Sequence, residues 1–455
     1  MTRIIPGVQV EVVKEVVAPQ LAPSGVLGLV GLTETGSEGI GRASSWSRYV
    51  ETFGRASAFS IPAAGQALAN GVFELVVAPV QSTTAVAASV DIPDASDEGK
   101  TALTIKARVP GPWANGIAVQ IASRQTLGGD KVFDLTVLRG DNSEVLRKLA
   151  VDPETERPVA AMLQGSSVYC TCELAEGQQA LWPKDGEYEL DNGRDASSNE
   201  YIDALRTLAN EADVDLVLVD VQSLSDAARV AKIYSEVVAH CEKMSSESKG
   251  RIGFGQLAPG AALNDYEEMV GNLVSDRFVL LAPHGVAGAV AGMIGKLRYF
   301  HSPTFKTVAG LGQLRRNFGV EDQRGLLKAN VVPVVNQRGR GNIVLRGLTS
   351  DGDQISVRRV ADRAVRGVQM LGELFIGRLN NETGRAALKQ KLVEFLVQME
   401  KDGALVPSTD GSDPAFKCDV YSSQADFQKG IVRVDLAVRP VRAIDYIYAT
   451  ILVQA

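Results

Sequence analysis

Three histidines, His240, His284 and His301, and four cysteines, Cys170, Cys172, Cys241 and Cys418, are the side chains of this 455-residue chain that could supply a base, a nucleophile or a transition-metal site. A hydrolase needs such a base beside a nucleophile on a sharp turn, and no Gly-x-Ser-x-Gly elbow occurs. His284 follows the apolar run 277–282 and Asp220 sits near the end of 214–221, so both fall where strand ends could meet. No serine in a nucleophile turn accompanies them, and a turn histidine with a strand-end carboxylate is the simpler reading. Zinc asks for two closely spaced ligand pairs; Cys170 and Cys172 are one residue apart and His240 adjoins Cys241, which makes no such set. A Walker loop is missing, because Gly295-Lys296 is followed by Leu297, and the Gly253, Gly255, Ala258 imitation of a dinucleotide fingerprint contains Pro259. The residues therefore assign no catalytic group, no cofactor and no metal, and the expectation is that the protein is not an enzyme.

Charge points elsewhere. The chain carries a formal net charge of -7 and a pI near 5.3, against which the basic cluster 338–366 is the clearest asymmetry. Aromatic residues for base stacking are not interleaved with it, so an acidic protein partner fits better than nucleic acid, with a solvated helix face as the plainer alternative. Pro6, Glu11, Lys14 and Glu15 interrupt any apolar secretion signal, and the uncharged run 278–295 contains Pro283, His284 and several glycines, which breaks it into strand, turn and helix. Neither secretion nor membrane insertion is expected, and the cysteines read as free thiols in a reducing compartment.

The elements that must position these residues follow from periodicity. Residues 25–32 and 73–77 read as buried strands, and 45–53 and 61–70 as helices, with Pro62 in a first turn. An acidic linker is expected at 91–100. From there to about residue 191 short strands alternate, with Leu103, Ile105, Ala107 and Val109 on one face, Ile117, Val119 and Ile121 on another, and Phe133, Leu135 and Val137 on a third. Helices and apolar strands alternate from 201 to 297, predicting βαβ units and a mostly parallel sheet. The series Gly285, Gly288, Gly292 and Gly295 reads as close packing of a helix onto that sheet. An Arg- and Gly-rich stretch runs to Arg346, followed by amphipathic helices at 357–375 and 382–401. At the ends, 8–13 reads as an extended arm, 431–438 alternates strictly, and 444–453 is β-branched and aromatic on both faces, so it wants another sheet beside it.

Several segments resemble contractile tail sheath proteins of myophages and phage-like contractile injection systems. They are the arm Pro6-Gly7-Val8, Ser44-Ser45-Trp46-Ser47 to Thr52-Phe53-Gly54, Pro110-Gly111-Pro112-Trp113-Ala114-Asn115-Gly116, the helix at 287–295 and Gly403-Ala404-Leu405. Ile355-Ser356-Val357-Arg358-Arg359 and the closing Pro440, Ala443, Asp445, Tyr446 and Ile447 extend the resemblance over the whole chain, while 302–310 and 278–283 depart from the family's pattern.

The resemblance implies a multidomain α/β and α+β fold. An inner α+β domain would be built from both chain ends (1–24 and 336–455), an α/β subtilisin-like middle domain from 25–90 with 192–335, and an all-β insertion, 91–191, would project outward. It implies a structural subunit that polymerises helically, as stacked hexameric rings, around an inner tube protein and contracts to drive the tube through a target envelope. Baseplate and terminator or cap proteins would be further partners, in a virion tail or phage-like injection particle assembled in the bacterial cytoplasm. Under this reading Val8, Val10 and Val12, with Ile444, Tyr446, Tyr448, Ile451 and Val453, are strands donated to neighbours, and Arg358, Arg359, Arg363 and Arg366 dock onto the tube or a neighbour. The alternatives are a non-contractile ring or baseplate component, or a soluble α/β hydrolase-like enzyme.

Overall fold

The computed structural model describes residues 24–35, 39–126, 129, 131–174 and 181–448. The expected arm with Val8, Val10 and Val12, and the closing Ile451 and Val453, lie outside these residues. Among the described residues, 24–363 with 440–448 form one compact unit and 364–439 form another.

The larger unit is built on an eight-stranded sheet. From edge to edge its order is Gly341–Val344, Val332–Gln337, Phe278–Ala282, Ile252–Gln256, Leu216–Val219, Val26–Gly31, Glu74–Pro79 and Gly41–Ala43. All neighbours pair in parallel except the two outermost pairs, which are antiparallel. A parallel sheet must be covered on both faces, and that is why Val26–Gly31, Leu216–Val219 and Phe278–Ala282 are uncharged and buried at every residue. Trp46–Phe53, Pro62–Ala69 and Ala287–Lys296 cover one face; Ser198–Thr207, Ala227–Ser246, Leu263–Asn272 and Val320–Lys328 cover the other. Local chemistry sets these helices: Ser45 and Asp226 accept from Arg48 N and Arg229 N as N-caps, and Pro62 opens its helix where no backbone donor is needed.

The glycine series packs closely against the helix Pro62–Ala69, not only onto the sheet. A Cβ on Gly288 would lie 2.4 Å from Ala63 Cα, and one on Gly292 would lie 2.4 Å from Ala67 O. The two backbones therefore touch where any side chain would separate them.

The insertion begins earlier than expected and is not purely β. Ser89–Pro93, Thr101–Ala107 and Cys170–Glu173 form a three-stranded sheet, and Gly186–Glu189, Ala118–Gln125, Lys131–Arg139 and Asn142–Leu149 a four-stranded one, with the helix Val159–Ser166 beside them. Asp91 reads as linker, yet it sits on the open face of a strand where its carboxylate accepts from Thr104 Oγ1 at 2.6 Å. Leu103, Ile105, Val119, Phe133, Leu135 and Val137 are all buried in the insertion's own core. Its root is clamped. Arg108 pairs with Glu34 at 3.0 Å, both nearly buried, and Glu200 accepts from Ser82 Oγ, Thr83 N and Ser197 N across the entering and leaving chain. The Arg139 guanidinium lies 4.6 Å from the Phe59 ring centre, with Trp113 stacked on Phe59.

The Arg- and Gly-rich stretch contains more structure than its composition suggests. The expected boundary at 335/336 falls inside the strand Val332–Gln337, which pairs with Phe278–Ala282 on one side and with Gly341–Val344 on the other. Pro333 and the short apolar run Val331–Val332 hide it from periodicity.

The smaller unit contains the helix Glu382–Lys401 and a hairpin of Phe416–Tyr421 with Arg433–Val438; the first of these strands is absent from the sequence reading. The helix Ile355–Glu373 carries the unit boundary between Arg363 and Ala364. Its C-terminal half, with Leu371, packs on Leu388 and Leu392, and Cys418, Val420, Val432 and Val434 join them from the hairpin.

Gly292→Ala is expected to lower the stability of the protein by about 1–3 kcal/mol, because the added methyl must push two packed backbones apart. Urea denaturation of the variant beside the wild type checks this.

Candidate assembly site

The segment that follows the hairpin returns to the larger unit and is pinned there. Gln354 Nε2 donates to Ala443 O at 3.1 Å and to Asp445 Oδ2 at 2.9 Å, while Ala443 N donates to Gln354 Oε1 at 2.8 Å. Arg346 Nε pairs with Asp445 Oδ2 at 2.9 Å, and the Asp445 side chain is only 7% exposed. Arg442 pairs with Asp353 at 2.7 Å, and the Arg346 guanidinium lies 5.3 Å from the Tyr446 ring centre. Gln354 thus treats Ala443 as a pairing partner, and Asp445 is held by one cation and one amide.

Beyond that anchor the chain is bare. Ile444 is 79% exposed, Ile447 84% and Tyr448 94%. Residues 441–448 form no strand, so the strand expected from Ile444, Tyr446 and Tyr448 makes no ladder among the described residues. Its apolar residues therefore remain in water at a cost. The hairpin of the smaller unit has the opposite character: among the described residues each of its strands pairs only with the other, leaving two outer edges. A two-stranded sheet with free edges is a template for further strands.

The arginine row expected to dock turns largely inward. Arg359 is 5% exposed and donates to Leu297 O at 3.3 and 3.4 Å, and burial lowers its pKa. Arg358 pairs with Asp276 at 2.8 Å and Asp362 at 2.9 Å, while Arg277 holds the same Asp362 at 3.0 Å. Arg363 lies 5.6 Å from the Tyr299 ring centre, and Arg366 is half-buried. Arg358 and Arg359 fix the first turns of their helix to the larger unit through these partners. Amphipathic spacing could not reveal this, because buried arginines with carboxylate partners read as a polar face.

His301 is exposed and meets the Phe300 ring edge-on, while the other residues weighed for catalysis are engaged structurally. His284 Nδ1 meets Leu257 O at 3.0 Å, and Asp220 accepts from Ala63 N at 3.0 Å, so each faces a backbone group instead of the other. His240 meets Arg251 at 2.7 Å and is lowered to about 4 by burial and that guanidinium. Gly253 and Gly255 lie inside a strand, where Val237, Phe278 and Tyr234 fill the space a Cβ would need. Burial pushes the thiols of Cys170, Cys172 and Cys241 up to about 12. Among the described residues no three His, Cys, Asp or Glu side chains are grouped to hold a metal, and no helix is long and apolar enough to cross a membrane.

Two family models match the chain. The phage tail sheath protein central domain matches residues 195–350 and the phage tail sheath C-terminal domain matches 349–454, together more than half of its length. The chain belongs to the phage tail sheath family. Solved structures similar to this sheath chain share its fold at low identity. One is the sheath tail protein from Desulfitobacterium hafniense, with TM-score 0.54, 15% identity and coverage of 96% of this chain and 97% of that one. Another is the anti-feeding prophage helical sheath in its contracted state, with TM-score 0.56, 15% identity and 99% coverage of both chains. A third is the sheath complex of an extracellular contractile injection system, PVC, in the contracted state, with TM-score 0.57, 11% identity and coverage of 99% and 98%. No match was found among curated protein sequences.

Two outcomes are expected of this sheath chain. Gln354→Ala removes three hydrogen bonds from the tail anchor and is expected to speed tryptic cleavage after Arg442 at least about tenfold, since a net loss near 1.4 kcal/mol is tenfold in local opening; timed digestion followed by mass spectrometry checks it. Burial raises Asp220 from 3.8 to about 7, with Asp195 adding to the shift. Between those values the folded state holds a proton that the unfolded state has released, so this group's contribution falls as pH rises from about 4 to 7. Asp220→Asn, whose side-chain oxygen still accepts from Ala63 N, is therefore expected to gain stability over the wild type progressively across that window, as read by denaturation at stepped pH.

Proposed function

We propose that this protein is a contractile sheath subunit that polymerises helically around an inner tube and drives it through a target envelope on contraction. The observation that carries the reading is the pair of unmet strand surfaces in a chain of this family: an exposed apolar tail leaving a fixed anchor, and a hairpin whose two outer edges pair with no strand among the described residues. The tail strand of Ile444, Tyr446, Tyr448, Ile451 and Val453 adds to the hairpin of a second copy, and Val8, Val10 and Val12 add to its other side. Each backbone bond so formed contributes a net ~0.5–1.5 kcal/mol, enough over a few residues and many copies to hold neighbours together while the larger units turn. The similarity to sheaths solved in the contracted state supports a lattice of this kind.

In this reading the smaller unit and the donated strands form the inner layer, in stacked six-fold rings around the tube. The eight-stranded sheet with its covering helices is the family's subtilisin-like middle domain, and the insertion is its outward layer. The protein then works in a virion tail or phage-like injection particle, put together in the bacterial cytoplasm, with baseplate and cap proteins closing the ends. Nothing in the arrangement calls for nucleotide hydrolysis; the energy is held in contacts that the extended lattice has not yet made.

Negative-stain electron microscopy of the purified chain, alone and with its tube protein, is expected to show hollow cylinders with a helical surface. Small closed particles under both conditions would overturn the reading. Removal of residues 444–455 is expected to leave a folded protein that forms no cylinders, and cylinders of normal length from that truncation would remove the tail from the mechanism.

A further inference from the structure

We propose that the acidic edge strand of the insertion docks onto a basic edge of the main sheet in a second copy of this chain. The inference rests on the sheath reading and adds a contact to it that uses neither chain end.

The two surfaces are opposite in charge and equal in size. Residues 297–350 hold nine Arg or Lys and two Asp or Glu, whereas residues 89–191 hold ten basic and seventeen acidic residues. These net charges, +7 and -7, cancel each other, so the whole chain's -7 is carried by the remaining residues. Three of these basic residues lie at one edge of the sheet. Residues 305–308 run along the strand Gly341–Val344, with Phe305 N donating to Val344 O at 2.8 Å and Val308 N to Asn342 O at 2.8 Å. Lys306 thus flanks the strand that the turn carrying Arg338 and Arg340 leads into, and all three are exposed. The Arg340 guanidinium lies 5.6 Å from the centre of the Phe305 ring, which is 41% exposed. Among the described residues Lys306, Arg338 and Arg340 make no ion pair.

The complement is equally regular. Asp185, Glu187, Glu189 and Asp191 alternate along and just beyond the strand Gly186–Glu189, the outermost of its four-stranded sheet, and all four are exposed. Gln120 Nε2 donates to Glu187 at 3.2 Å and Ser123 N to Asp185 at 2.8 Å, but no cation pairs with any of the four among the described residues. Alternate residues of a strand stand about 7 Å apart on one face, so the four carboxylates form a line of like charge that repels itself until cations face it. An apolar ring under a guanidinium, rimmed by further cations, is the kind of surface such a line would meet. Both surfaces lie in the larger unit, and no ion pair joins them there among the described residues. A contact between unlike patches on identical chains is head-to-tail, and repeated it builds an open helical array, not a closed dimer.

The test uses the full chain with two charge reversals, R338E/R340E and E187K/E189K, and their combination. Thermal unfolding first establishes that each variant folds, as exposed side chains allow. Pelleting and electron microscopy then give the concentration at which cylinders form, at low and raised NaCl. Each reversal alone is expected to raise that concentration at least about tenfold, and the combination to return it to within about threefold of wild type, since the paired charges are merely exchanged. Wild-type assembly by either single reversal overturns the proposal while leaving the sheath reading intact. Failure of the combination to restore assembly also overturns it, and places the basic edge against the tube protein or another acidic partner. Absence of cylinders from the wild type, with or without tube protein, defeats the sheath reading and this contact with it.

Discussion

The chain leaves its larger unit after Arg363 and must come back to it at Pro440, and the return is held by a few polar groups around Asp445. That constraint orders much of the rest. Because Gln354 grips both the backbone at Ala443 and the carboxylate at Asp445, the tail begins from a fixed point on a fixed unit. Without the grip, the exposed Ile444, Ile447 and Tyr448 would be a loose apolar end, free to meet any strand edge nearby. With it, their direction and reach are limited.

The sheet that supplies this fixed point depends in turn on close backbone packing. Gly288 and Gly292 let their helix lie against Pro62–Ala69 with no side chain between them, so that the two together help cover one face of a sheet whose strands Val26–Gly31, Leu216–Val219 and Phe278–Ala282 contain no polar residue. The arginines of the helix Ile355–Glu373 then tie its first turns to the same unit through Asp276, Asp362 and Leu297 O. These are partnered charges in poorly solvated places, where removal of one member leaves the other without compensation.

Much of this was legible in the sequence, and the reasons differ from element to element. The buried strands and their helices announced themselves through uncharged apolar runs and three- and four-residue spacing, and the helix Glu382–Lys401 has the bounds its pattern predicts. The strand Val332–Gln337 did not, because it pairs over only a few residues and contains a proline. Phe416–Tyr421 was hidden by Lys417, Asp419 and the free cysteine Cys418, which face solvent and core in turn without a strong apolar contrast. The assembly site divided in the same way. The adhesive composition of 444–448 is visible in the residue types, whereas the inward turn of Arg358 and Arg359 depends on carboxylates that lie far off in sequence.

The root of the insertion has a mechanical side. Arg108 against Glu34, the Glu200 carboxylate bridging the entering and leaving chain, and Arg139 on Phe59 join the insertion to the sheet at three separate places. Attachment through several contacts restricts pivoting at the root. The insertion accordingly behaves as an outrigger: when the sheet turns through some angle, the far end of the insertion sweeps an arc that grows with its distance from the axis. Any such rotation would carry the tip of the insertion farther than its root, with no motion inside the insertion required.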